Sequence, residues 1–188
     1  MPGNIASALV FIVNALVQLY VLVLLLRFFL PWAGADFRNP IAQAILRLSS
    51  PVVVPLRRIV PPIGKVDTAT LLVAFAIEYL KILVLAAILG VTAMATIANI
   101  AVTALVNLVI LALNLFTFAI IIQVIASWIA PGGYNPAFAL IHSLTNPVLR
   151  PFRRIIPSAG GIDLSPLCAI ITLQALRIVV FGLKLLPL

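Results

Sequence analysis

Two stretches of this chain, Ile5 to Leu26 and Val91 to Ala126, contain no charged residue. Each meets the roughly 20 apolar residues needed to cross a bilayer as a helix, and a segment in hydrocarbon has to satisfy its backbone internally. Two further runs, Thr68 to Leu89 and Leu164 to Leu186, are equally long but hold a few charges. Four helical spans are expected. Composition agrees: 64% of residues are hydrophobic, 9% are charged and the mean hydropathy is +1.30, whereas soluble domains are roughly a quarter charged. The leader Met1 to Asn4 has no basic residue and the following apolar core outruns that of a secretory signal, so the first span is expected to be retained. The single Cys168 falls inside a span, where it reads as a packing residue.

The chain also says one thing twice. Residues 31–67 and 127–163 align without a gap at a constant offset of 96. Asn39-Pro40, Pro51, Pro55, Arg57-Arg58-Ile59, Pro61, Gly64 and Asp67 recur as Asn135-Pro136, Pro147, Pro151, Arg153-Arg154-Ile155, Pro157, Gly160 and Asp163. A duplicated unit follows, with repeat 1 over 1–92 and repeat 2 over 93–188. Each copy is span, connecting segment, span, so an even number of crossings makes the repeats parallel about the membrane normal rather than inverted.

Basic residues near span ends stay in the cytoplasm. Arg38, Arg47, Arg57, Arg58 and Lys65 lie between the first two spans, and Arg150, Arg153 and Arg154 between the last two. Both connections are therefore expected on the cytoplasmic side, with both termini outside. The net charge of +8 becomes an inner-leaflet charge. Arginines held this close to embedded helices suit anionic headgroups, a membrane-protein partner or a second copy of the chain, and no nucleic-acid partner is expected.

Within each connection, Asn39 suits an N-cap and Pro40 the first helical position, and Ile41, Ala44, Ile45 and Leu48 fall on one face. That predicts a short amphipathic helix at the interface, with Pro136 to Leu144 as its counterpart, Ile141 and Leu144 repeating Ile45 and Leu48. Pro51 and Pro55 predict a helix break with Val52 to Val54 extended, and Pro147 and Pro151 the same break in repeat 2. Gly64 and Gly160 are expected to turn the chain back, and Asp67 and Asp163 to cap the helices that follow. The expected fold is an all-α integral membrane protein: four transmembrane helices as two parallel repeats, each with a cytoplasmic amphipathic helix and a Pro-broken, arginine-rich segment.

Trp32 and Trp128 repeat at the same offset and read as interfacial anchors. His142 stands alone, without a second ligand at metal spacing, and reads as a surface residue. Glu78 lies about ten residues into its span with Lys81 one turn on; the offset carries these to Gln174 and Arg177, and carries Gln18 to Asn114. Charges at that depth cost several kcal/mol unless paired or hydrated, so a central polar layer is expected, acting as structural glue or as an ion route. No nucleophile with a nearby base, phosphate loop or metal spacing appears, and neither an enzyme nor a cofactor is expected.

The twin NPx10Px3PxRRIxPx2Gx2D cores, each between two hydrophobic spans, resemble the YggT family of small integral membrane proteins, with YlmG-like relatives, in its two-repeat form. That resemblance implies a bacterial inner-membrane location and loosely defined roles: osmotic and salt tolerance, potassium uptake, and proximity to division or cytochrome-maturation machinery. It supplies no catalytic residues. An accessory or scaffold protein engaging lipid or a partner through Arg57, Arg58, Arg150, Arg153 and Arg154 is the first expectation, and a small ion-handling protein using the polar layer the second.

Overall fold

The computed structural model describes residues 3–64, 66–91, 96–129, 135–156 and 163–186. Lys65, Pro157 and Gly160 lie outside the described residues. Within them the chain forms six helices: α1 (Gly3–Trp32), α2 (Pro40–Arg57), α3 (Thr68–Leu89), α4 (Ile97–Ile129), α5 (Pro136–Ile155) and α6 (Ser165–Phe181). Three of them, over 4–32, 68–89 and 97–129, are long and apolar enough to cross a membrane. α6 is apolar but shorter, at 17 residues.

Local chemistry explains where the helices start and stop. Asn39 accepts a hydrogen bond from the Ile41 N–H at 2.9 Å and Asn135 from the Ala137 N–H at 2.8 Å, each with proline at the first helical position. Asp67 caps α3 by accepting from the Thr70 N–H at 3.3 Å. Asp163 accepts from the Ser165 N–H at 2.9 Å, one residue earlier than a formal N-cap, which is Leu164. Gly90 ends α3 at φ 72°, a conformation that costs a residue with a Cβ. Gly64, at φ 60°, turns the chain between Ile63 and Val66, whose backbones exchange two 3.0 Å hydrogen bonds.

The expected break at Pro51 and Pro55, and its copy at Pro147 and Pro151, does not occur. α2 and α5 run straight through, with both prolines inside each helix. Tertiary packing overrides propensity here. The i, i+4 spacing puts Pro51 and Pro55 together on the exposed side, while Ser49 and Val53 on the other side are fully buried. The lost N–H groups therefore leave their carbonyls where the surroundings can reach them. Hydroxyls brace the same turns: Ser49 donates to the Ile45 carbonyl at 2.6 Å, Ser50 to Leu46 at 2.5 Å and Thr145 to Ile141 at 2.8 Å.

The inward face of α2 also differs from expectation. Ala42, Ile45, Ser49 and Val53 are buried, whereas Ile41, Ala44, Leu48 and Val52 form an exposed outward stripe. α5 buries Leu140, Leu144, Thr145 and Leu149, and its outward side is polar, with His142, Asn146, Arg150 and Arg153. α1 runs past the expected end at Leu26 to Trp32, so it contains Arg27. α4 starts at Ile97, later than the apolar run, and α6 ends at Phe181.

Each repeat packs alike: α1 on α2 and α3, α2 on α3, and correspondingly α4 on α5 and α6, α5 on α6. The repeats meet through α1 with α4, α2 with α5 and α3 with α4. One apolar core draws on all six helices, including Leu24, Val53, Val73, Ile120, Leu149 and Ala169. A smaller cluster of Leu30, Ala35, Ala42, Ile45 and Leu140 joins the repeats at the arginine-bearing end. There the Asn39 side chain donates to the Pro136 carbonyl at 2.6 Å, tying the starts of α2 and α5 together. Phe11, Leu16 and Leu19 on α1 and Phe118 on α4 remain exposed, an outer surface suited to hydrocarbon.

Candidate functional site

The densest polar cluster of repeat 1 surrounds Arg27, which the sequence reading passed over. Arg27 is 5% exposed. Its Nη1 donates to Ser49 Oγ at 2.9 Å, Ser50 Oγ at 3.1 Å and the Leu46 carbonyl at 3.4 Å. Its Nε lies 3.7 Å from Asp67, and Arg57 approaches the same carboxylate at 4.0 Å. Asp67 therefore caps α3 and joins α1 to α2 at once. A buried charge is tolerable only when so paired.

The offset of 96 maps this cluster onto repeat 2, residue for residue, with one change of charge. Gln123 replaces Arg27, Thr145 replaces Ser49 and His142 replaces Leu46. The same positions meet but the bonds differ: Thr145 donates to Gln123 Oε1, the reverse of Arg27 donating to Ser49, and Gln123 Nε2 lies 3.2 Å from His142 Nδ1. Arg153 Nε pairs with Asp163 at 3.1 Å and its Nη1 donates to Asn146 at 3.3 Å. Unlike Asp67, Asp163 is exposed. Partial burial works against its ionisation, but hydrogen bonds from Ser165 and Arg153 outweigh that and hold the carboxyl below its ordinary range. A pocket of about 390 Å3 opens between Gln123, Ser127, Trp128, Arg153 and Asp163. The same offset that carries Gln18 to Asn114 carries Arg27 to Gln123, and that exchange of charge is the signal in the sequence.

The arginines singled out by sequence gather at one end of the bundle. Arg57 and Arg153 face the two aspartates, while Arg47, Arg58, Arg150 and Arg154 are exposed on α2, α5 and their ends. Trp32 and Trp128 are exposed at the same end, Trp32 stacking edge-on against Phe116.

The expected polar layer is three separate groups. Lys81 donates to Glu78 within α3, both buried. Gln174 Nε2 donates to Thr117 Oγ1 at 3.2 Å across α6 and α4, and the exposed Arg177 donates to Gln174 at 3.2 Å. Gln18 and Asn114 line a groove of about 370 Å3 between α1 and α4, walled by Leu22, Leu26, Phe118 and Ile122. Depth follows from the sequence, but direction around each helix does not, and it sends these groups to different neighbours.

Comparison with known proteins puts this duplication in context. A family profile described as CCB3/YggT matches residues 6–88 and again 102–184, the two matches starting 96 residues apart. An uncharacterized protein of Pseudomonas aeruginosa is 38% identical over 176 residues, covering 94% of this chain and 89% of that one. The uncharacterized protein YggT of Escherichia coli K12 is 34% identical over 171 residues, covering 91% and 88%. A Porphyra purpurea protein named only ycf19 is 33% identical over 73 residues, covering 38% of this chain and 77% of its own length. No solved structure matches.

Proposed function

Because the chain belongs to the CCB3/YggT family, we propose that it is a four-span inner-membrane scaffold whose α2 and α5 hold the cytoplasmic end of the bundle against anionic lipid headgroups. One observation carries this reading: α2 turns Ile41, Leu48 and Val52 outward, at 37%, 62% and 45% exposure, beside the exposed Arg47, Arg57 and Arg58. Exposed aliphatic residues next to guanidinium groups match the acyl-headgroup boundary, where apolar area enters hydrocarbon and each cation gains about 1 kcal/mol from an anionic surface. α5 supplies the charge without the wedge, through Arg150, Arg153 and Arg154.

A scaffold reading also accounts for the interior. Glu78 and Lys81 close on each other within one helix, Gln174 bonds to Thr117, and Gln18 and Asn114 face an apolar groove. The first two arrangements hold the charged pair within one helix and tie α6 to α4, as glue does. Any contribution to osmotic or salt tolerance would then run through lipid packing or a membrane-protein partner.

Lipid retention by the full-length protein tests the proposal. After purification in mild detergent, native mass spectrometry should show phosphatidylglycerol retained over phosphatidylcholine. Replacing Arg57, Arg58, Arg153 and Arg154 together with Gln should remove the preference, and replacing them with Lys should keep most of it. Equal retention by the Gln variant would sink the reading, and a defect as large from Lys would transfer the site to bidentate recognition of a protein carboxylate.

A further inference from the structure

Repeat 1 completes its cluster with a cation from its own chain, and repeat 2 has a pocket at the corresponding place. The pocket lies between Gln123, Arg153 and Asp163, the counterparts of Arg27, Arg57 and Asp67. Two cations approach the Asp67 carboxylate, Arg27 at 3.7 Å and Arg57 at 4.0 Å, whereas Arg153 alone forms an ion pair with Asp163 among the described residues. Gln123 is shorter than arginine, and its amide is already spent on Thr145 and His142. Among the described residues, no side chain of repeat 2 therefore brings a second cation to the carboxylate as Arg27 does in repeat 1.

We propose that this pocket binds a primary ammonium group, from an ethanolamine phospholipid or from a soluble amine, beside the Asp163 carboxylate as Arg27 lies beside Asp67 in repeat 1. The lining favours a cation with N–H donors. Asp163 offers an ionised, 46% exposed carboxylate side chain, and Ser127 Oγ is a further acceptor. The Trp128 indole, 78% exposed, stands at the wall as a face for a cation. An anion fits less well, because Arg153 is already bonded to Asp163 and Asn146 and the carboxylate would repel it. The proposal rests on the reading that this end of the bundle meets the membrane surface.

The full-length protein in detergent provides the test, by native mass spectrometry and thermal shift with four probes: phosphatidylethanolamine, phosphatidylcholine, phosphatidylglycerol and free ethanolamine. Phosphatidylethanolamine should bind the wild type roughly tenfold more tightly than phosphatidylcholine, whose quaternary nitrogen has no N–H. Displacement of that lipid by millimolar ethanolamine would assign recognition to the ammonium itself, and its failure to displace would assign it to the whole headgroup. Gln123→Arg should fill the pocket from within, abolish the ethanolamine preference and raise the melting temperature. Phosphatidylglycerol binding by the exposed arginines should survive in that variant, so the two proposals fail separately. Equal binding of the ethanolamine and choline lipids by the wild type, or an unchanged preference in a folded Gln123→Arg variant, would overturn the assignment.

Discussion

The two repeats share a backbone plan and differ in where they keep their charges. Repeat 1 buries Arg27, Asp67, Glu78 and Lys81, each with an ionic partner. At the same four places repeat 2 has Gln123, an exposed Asp163, Gln174 and an exposed Arg177. A duplicated unit has thus separated into a half locked by buried ion pairs and a half held by neutral hydrogen bonds, with its charges at the surface. Buried pairs punish the loss of either partner, while neutral bonds are individually weak and replaceable. Loss of a single partner is therefore expected to cost repeat 1 more than repeat 2.

The contrast is broken most directly at its charged centre. Arg27→Leu leaves Asp67 buried with Arg57 alone and strips a donor from Ser49 and Ser50, which should cost about 3 kcal/mol or more. Gln123→Leu, at the matching place, should cost about 1 kcal/mol. Thermal melts in one detergent compare them, and equal losses would mean that the repeats are not energetically distinct. Glu78→Gln belongs with the larger effect, because it leaves Lys81 buried opposite a neutral amide.

A middle-sized effect is expected one contact outward. Ser49→Ala removes the 2.9 Å acceptor of Arg27 and the brace to the Ile45 carbonyl, so about 1–2 kcal/mol should be lost. Thr145→Val, which keeps the shape of its side chain, should lose about half as much, since its partner Gln123 is neutral and half-buried. Reversal of that order would place the stronger network in repeat 2.

The smallest difference concerns acid. The folded Asp163 carboxyl lies below its unfolded value, so its stabilising contribution is present above the ordinary carboxylate range and fades as pH falls through the depressed folded value. Between pH 6 and pH 3 the wild type should lose slightly more melting temperature than Asp163→Asn. Parallel curves for the two proteins would remove Asp163 from any electrostatic role.

Much of this architecture could be read before any coordinates. Asn39, Asn135 and Asp67 cap where their side chains and following residues indicate, and the charge-free runs become the long helices. What could not be read was set by tertiary contacts. Pro51 and Pro55 break a helix in isolation, yet burial of Ser49 and Val53 on the opposite face carries α2 through them. The neighbours of the expected polar layer were hidden for a related reason: counting along the spans puts Gln18 and Glu78 at comparable depth, but only packing decides that one faces α4 and the other closes on its own helix. Arg27 lay just before the window in which the duplicated motif is dense, although its partner at the offset, Gln123, was already visible.

The lengths of α4 and α6 carry a last consequence, one that concerns the bilayer itself. At about 1.5 Å per residue, the 33 residues of α4 extend about 50 Å and the 17 of α6 about 25 Å, on either side of a hydrocarbon core of roughly 30 Å. A helix that is too long tilts, and one that is too short draws the leaflets together around it. On the four-span reading proposed above, the two, packed side by side in one repeat, would pinch the membrane next to α6 and give the protein a preference for thinner lipid, so that its place in a mixed membrane would be set by thickness as well as by charge.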